Sequence, residues 1–532
     1  MTHYLQDIAV LGNTPSAWIA AIFLKQRLAS SVTVVCPPLD MAQLSPSKAE
    51  TLSPQIISEL KKVGLQEQHW IGPAGANFCL GQRLCNSSQA LDAIAPFAQK
   101  GVSLNGIAFH HYAVKAALPN VEAYSLASQM ARLNKFVHPV GDHNSILSSF
   151  DYGITIDTTK FIRLMVAYAK HVGINVKQVP NLSCISLTVS KAIVSNIQLS
   201  DGSKLAAQFV IDATQDLQFF RSLSTNACTN ISTNVSTPSD NTIEQHTYSS
   251  SCSVDSALGN TSANDLDACA NKPQFDRRLI ANVPDDAALD AVMNLEYMSG
   301  AMLASHRLRG AAYFCLYFSS ESMNDNDALN VLRQVLPKSA SDFMPQDIRF
   351  SPYNAQCLNK PWQGNIMALG PDTGLPAPSY FGDLAMDILN ITRFINLAPT
   401  SEDMAINARE YNRVFGECSL RCEEYESTLQ EVLEGKECNE KTEAKPSSLI
   451  HKQTLFRNSG RLANYDNDPL PEYAWMNLLM AGKFKPTKAH SLLDSASIHA
   501  SLKQIEHIAA LISDTVSKLP NIEAYRRHIK LD

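Results

Sequence analysis

Asp7-Ile-Ala-Val-Leu11-Gly12-Asn-Thr14-Pro-Ser-Ala17-Trp18 decides the fold. Five residues of mostly apolar character stop at a glycine. A short polar turn follows, and then Ile19 to Leu28 repeats apolar residues at helical spacing. Val32-Thr-Val-Val comes next and stops at Cys36-Pro-Pro. Strand, tight turn, helix and strand make an N-terminal βαβ unit. Its turn reads G-x-T-x-x-A, where the dinucleotide-binding fingerprint reads G-x-G-x-x-G/A. Ala17 is an allowed residue at the helix-packing position. Thr14 is a poor one, because a β-branched side chain obstructs the approach of backbone to a pyrophosphate. The acidic residue that would bond a ribose at the end of the second strand is replaced by Cys36, a weak acceptor. Taken alone, the unit reads either as a dinucleotide site or as a structural unit that no longer binds.

Outward from this unit the pattern continues. Asp157 to Gly173 reads as an amphipathic helix with Phe161, Leu164, Met165, Tyr168 and Ala169 on one face. Strands are expected at Val176–Val179, Cys184–Val189 and Ile193–Leu199, with a tight turn at Asp201-Gly202. Phe209-Val-Ile runs into Asp212-Ala-Thr214-Gln215, and Asn365-Ile-Met-Ala-Leu runs into Gly370-Pro-Asp372-Thr-Gly374. The segments around 7–11, 32–36, 209–212 and 365–369 are expected to form one parallel sheet, because strands ending in Gly, Cys-Pro or Asp lead to a switch-point crevice. Residues 384–435 read as two helices, 433–450 as a linker, and 484–531 as a C-terminal helical segment. The Ser/Thr/Asn-rich stretch 224–265 is expected to be mobile and protease-sensitive. The acceptor patterns at Asn230 and Asn234 read as chance in that composition.

Composition bounds the function. The chain has 532 residues, 45% hydrophobic and 18% charged, an ordinary globular balance. Lys plus Arg number 44 against 51 Asp plus Glu, a net of −7, too acidic for a nucleic-acid binder. The longest apolar run, Ala17 to Leu24, is about eight residues, and a span needs about 20, so no membrane segment is expected. Met1 to Asp7 carries no basic stretch, so no secretory signal is expected. Twelve scattered cysteines with no CxxC read as buried reduced thiols of a cytoplasmic protein, and no metal site is expected.

Several short motifs occur in a set order. Gly12-x-x-x-x-Ala17-Trp18 is followed by Glu50-Thr-x-x-Pro54, Ala76-Asn-Phe78-x-x-Gly81, Tyr152-Gly153 and Asp212-x-Thr214. Then come Trp362-x-x-Asn365-x-x-Ala368-Leu-Gly370, Glu410-Tyr411-Asn412, Leu455-Phe456-Arg457-x-x-Gly460-Arg461 and Trp475-x-x-Leu478-Leu479. In this order they resemble the flavin-dependent tryptophan halogenase family over nearly the whole chain, residues 222–272 and 433–450 excepted.

The resemblance implies an α/β, flavoprotein monooxygenase-like fold with a Rossmann-type FAD-binding core, a substrate-domain sheet and a C-terminal helical region. The expected boundaries are 1–221 and 340–400 for the discontinuous core, 222–339 for the insertion and substrate-side sheet region, and 401–532 for the helical region. It implies FAD as cofactor, with Gly12, Thr14, Ala17, Cys36, Glu50, Asp212, Gly370, Asp372 and Gly374 at its binding positions. It also implies a flavin reductase as supplier, a small aromatic substrate, and oxidised halogen handed to that substrate beside a lysine and a glutamate.

The departures from the family fall on that chemistry. Alignment on Phe78 puts Cys79 at the lysine. Alignment on Gly374 and Pro378 puts Ala377 and Tyr380 at two family glutamates. No tryptophan or proline stands at Ser299 to Ser305, where the family has W-x-W-x-I-P. Gln215 replaces a glycine. Lys48 reads as an exposed loop lysine, with a cation near the flavin as the alternative, and Glu50 as a charge at a helix N-terminus. These losses imply FAD binding that is weak or lost and a degenerate member serving as a binding or partner protein, as a homodimer or paired with a paralogue. The alternatives are an active FAD-dependent halogenase or monooxygenase with altered substrate, and another redox or small-molecule-binding role on the same scaffold.

Overall fold

The computed structural model describes residues 5–39, 46–190, 193–222, 230–232, 275–336, 348–353, 358–373, 380–436, 445–495 and 498–531. The Asp7–Leu11 strand lies between Ser31–Cys36 and Phe209–Asp212, parallel to both. Ile366–Ala368 adds in parallel beyond Phe209–Asp212, and Asn175–Gln178 beyond Ser31–Cys36. Trp362–Gln363 closes one edge antiparallel. All four expected segments therefore share one six-stranded sheet. Their near-continuous apolar runs suit a sheet covered on both faces.

The Pro15–Leu28 helix begins at Thr14 and carries Pro15 in its first turn, where a missing N–H costs nothing. It is buried from Ser16 to Leu24, on every side, as a helix inside a large core must be. Asp157 starts the Thr158–His171 helix by accepting from the N–H groups of Thr159 and Lys160. Phe161, Ile162, Met165 and Ala169 are its buried face. Leu164 and Tyr168, expected there too, sit half-buried at the edges of the stripe.

A seven-stranded sheet runs in the order Ile348–Pro352, Arg277–Pro284, Ala311–Phe318, Ala301–Leu308, Met293–Met298, Gly81–Asn86, Leu91–Pro96. Only the pairing of Met293–Met298 with Gly81–Asn86 is parallel. A three-stranded sheet of Ala49–Leu52, Gly153–Asp157 and Asn77–Cys79 lies beside the main core. The expected Asp201-Gly202 turn joins Ile193–Gln198 to Lys204–Leu205 in a smaller antiparallel sheet. Asn230–Ser232 completes that sheet against Ser186–Ser190. Those three residues form a strand inside the stretch expected to be a mobile loop. The rest of 224–265, including Asn234, lies outside the described residues, as do Cys228, Cys252, Cys269, Cys357 and Cys438.

The two helices expected over 384–435 are Asp383–Leu397 and Met404–Glu434. Two sequence motifs meet here, because the Asn412 side chain accepts from Trp362 N–H at 3.0 Å and donates to its carbonyl at 2.9 Å. Among the described residues no helix is long and apolar enough to cross a membrane. The described cysteines are free thiols. Most are buried, but Cys85 and Cys184 are only half-buried, on a sheet face and in a short loop turn.

Candidate functional site

The fold brings seven of the nine expected cofactor positions to the carboxyl end of the parallel sheet. Gly12 has φ +121, and a Cβ there would meet the Ala213 carbonyl oxygen at 2.5 Å. Thr14 fills the next position of the turn. Its hydroxyl donates to the Ala213 carbonyl at 2.8 Å and accepts from Ala17 N–H at 3.2 Å. The side chain thus caps the helix and ties it to the end of the neighbouring strand. Ala17 is fully buried. Cys36 is buried at the end of its strand, and burial pushes its thiol up to about 11. It offers neither charge nor a strong acceptor.

Asp212 points into the protein. Thr214 N–H and hydroxyl donate to its Oδ1 at 3.1 and 2.6 Å, and Phe220 N–H donates to Oδ2 at 2.7 Å. It shapes the turn after its own strand. Gly370, at φ +127, stands against Ser16. Asp372 is half-buried, and its carbonyl accepts from Arg221. Gly374, Ala377 and Pro378 lie outside the described residues.

A second cluster adjoins the first through Ser16, whose hydroxyl donates to Asp387 Oδ2 at 2.6 Å. One turn earlier on the same helix, Asp383 pairs with Lys48 and lies 3.5 Å from Arg278. Lys48 is therefore not an exposed loop lysine. Its side chain is 19% exposed and sits between Asp383 and Glu50. Burial works against the Lys48 charge, but the two carboxylates outweigh it and raise its pKa. Burial also opposes the Asp383 charge, and Lys48 with Arg278 outweighs it, holding that carboxyl below its usual range.

Glu50 is a charge at a helix N-terminus, but of a distant helix. Leu384 and Ala385 N–H donate to its Oε1 at 2.8 and 3.2 Å, in the first turn of Asp383–Leu397. The preceding residue must be Gly382, because a Cβ there would run into the Glu50 carboxyl. Asp387 is buried, with Ser16 as its hydrogen-bond donor, and burial drives its pKa well up. Sequence reading missed Asp383, Asp387 and Arg278. The spacing of the two aspartates puts both on one helix face, but their partners lie hundreds of residues away.

The two expected catalytic positions belong to a third, apolar group. Cys79 is 1% exposed, and its Sγ donates to the Gly81 carbonyl at 3.2 Å. Burial raises its pKa, so the neutral thiol is the resting form. It pairs across the strands with Gly153, which packs against the Phe97 ring. Phe97 in turn meets Tyr380 edge-on at 5.7 Å. Tyr380 is buried, hydrogen-bonded to the Tyr473 hydroxyl at 3.0 Å, and packed edge-on against Phe381 and Tyr425. Lys48, Glu50, Tyr380 and His306 border a cavity of about 30 Å³, room for one or two waters. No set of three His, Cys, Asp or Glu among the described residues could hold a metal ion.

The sequence profile of the tryptophan halogenase family matches residues 7–231 and 308–527. The chain belongs to the tryptophan halogenase family. Solved structures of similar fold include BrvH, a flavin-dependent halogenase from Brevundimonas sp. BAL3, at 19% identity, TM-score 0.79 and 99% coverage of both chains. Another is Xcc4156, a flavin-dependent halogenase from Xanthomonas campestris, at 16% identity, TM-score 0.81 and 99% of both chains. A third is SttH, a tryptophan 6-halogenase from Streptomyces toxytricini, at 15% identity and TM-score 0.77, covering 98% of this chain and 99% of that one. At these identities the likeness is one of fold. No curated protein sequence matches the chain.

Proposed function

We propose that this member of the halogenase family is degenerate in halogenation chemistry and acts as a binding or partner protein, with itself or with a relative that retains the cofactor. The observation that carries the reading is Thr14. Its side chain takes up the notch where backbone would meet a pyrophosphate, and its hydroxyl is already spent on Ala213 and Ala17. The remaining groups fit FAD no better. Cys36 offers only a weak acceptor to a ribose, Asp212 is committed inward, and the cavity bordered by Lys48, Glu50, Tyr380 and His306 is only about 30 Å³. The resemblance also calls for an amine and a carboxylate at positions held by Cys79 and Tyr380. Both are buried without charge.

The competing reading, an active flavin enzyme with altered substrate, draws on Gly12 and Gly370, which keep the positive φ of close-approach glycines. Purified protein separates the two. The degenerate reading expects no flavin absorbance after purification and no rise in melting temperature with about 100 μM added FAD. Stoichiometric FAD in the purified protein would overturn it.

A further inference from the structure

The seven-stranded sheet has a second face, turned away from the crevice. Its register lines up two rows there. Asp92 lies opposite Cys85, Cys85 beside Glu296, and Glu296 opposite Leu303. In the next row Arg83 lies beside Asn294, Asn294 opposite Ser305, and Ser305 opposite Phe314. Side chains alternate along a strand, so these face away from Ala304 and Cys315, which line the crevice-side cavity. The Asp325–Val335 helix covers one end of this outer face through Ala328, Val331 and Leu332. Beyond that helix the face holds an open cleft of about 370 Å³. That is the scale of small-molecule sites, about 300–1,000 Å³.

The lining shows what chemistry would fit. Two cations, Arg83 and Arg307, stand against three carboxylates, Asp92, Asp290 and Glu296. Arg83 donates to Asp92 from Nε and Nη2, both at 2.8 Å, which leaves Nη1 to a ligand. Arg307 donates to Asp285 at 3.0 Å and lies 3.7 Å from Asp290. Arg132 also donates to Asp92 Oδ1 at 2.7 Å, so Asp92 and Asp290 each face an arginine, whereas Glu296 forms no ion pair among the described residues. A phosphate or other anion is disfavoured by this balance, and an ammonium group is favoured at Glu296. Leu303, Phe314 and Val335 supply an apolar floor.

We propose that this outer cleft binds a small zwitterion, an apolar free α-amino acid. Its ammonium goes to Glu296, its carboxylate to Arg83, and its side chain to the floor. The site lies on the opposite face from the crevice, so it stands whether or not the crevice takes a flavin.

Calorimetric titration of the full-length protein with L-leucine, L-methionine and L-phenylalanine tests it. At least one should bind with a Kd below about 10 mM. Its N-acetyl derivative and the matching amine without a carboxylate should each bind about tenfold more weakly or worse, because each loses one charge pair. Glu296→Gln should weaken binding by about the same factor. Ser305→Phe, which fills the cleft but keeps both charges, should abolish it. Melting temperatures without ligand report whether each variant is folded, and either variant alone suffices if the other is not. Absence of binding by all three amino acids overturns the proposal. So does binding that a folded variant leaves unchanged, or that N-acetylation leaves unchanged.

Discussion

Thr14 shows how one side chain can reassign a motif. In a G-x-G turn the middle residue contributes space. Here it contributes a γ-oxygen that caps the Pro15–Leu28 helix and holds the Ala213 carbonyl. The turn is a structural joint between two strands and a helix. Thr14→Ala should therefore destabilise the fold by about 1–2 kcal/mol, the worth of an N-cap and one further hydrogen bond. The shift in urea midpoint measures it. A midpoint equal to wild type would mean that the joint contributes nothing and that the position is open for another purpose. Cys79 and Tyr380 follow the same logic. Each is a group that can be buried neutral, and each is buried.

The helix Asp383–Leu397 ties three parts of the molecule together at its first turns. Glu50 from a small sheet accepts its leading N–H groups, Lys48 and Arg278 flank Asp383, and Ser16 donates to Asp387. Asp387 has a consequence for pH. Burial raises its folded-state pKa, and the nearby Asp383 and Glu50 charges add to that, while the Ser16 bond opposes it. A carboxyl with a raised pKa binds more protons folded than unfolded, so stability falls as pH rises above the ordinary Asp range near 4. Asp387→Asn keeps a group that Ser16 can bond and removes the ionisation. Urea denaturation between pH 5 and 9, roughly the span where most proteins stay folded, should show wild type losing stability relative to Asp387→Asn as pH rises. Parallel curves for the two proteins would show that Asp387 carries no such penalty.

At the scale of the whole molecule, the halogenase architecture is present from the parallel sheet to the C-terminal helices, and the altered residues sit within it. With FAD, a flavin reductase, oxygen and chloride supplied, the wild-type protein should give no chlorinated tryptophan by mass spectrometry. Loss of a positioned acid or base alone removes about 10²- to 10⁴-fold of rate. Here the cofactor turn is altered as well, so the two losses act on separate steps. Cys79→Lys with Tyr380→Glu should stay inactive, because both new charges would be placed in apolar surroundings. Chlorinated product from the wild type would promote the enzyme reading.

The sequence by itself determined the parallel sheet, its βαβ opening and the family. Apolar runs ending in Gly, Cys-Pro and Asp are local patterns, and the ordered short motifs pointed to the family whose profile matches residues 7–231 and 308–527. Where the singled-out side chains sit and what they bond was decided only by the tertiary structure. Lys48 reads as a solvated loop residue until Asp383, 335 positions away, is folded against it. Glu50 reads as a cap for the helix that follows it, yet it caps one that begins more than 300 residues later. The outer cleft, with Arg83 and Glu296 in adjoining rows, exists only through strand register. Charge pairing and register act between segments remote in sequence, where local periodicity carries no signal.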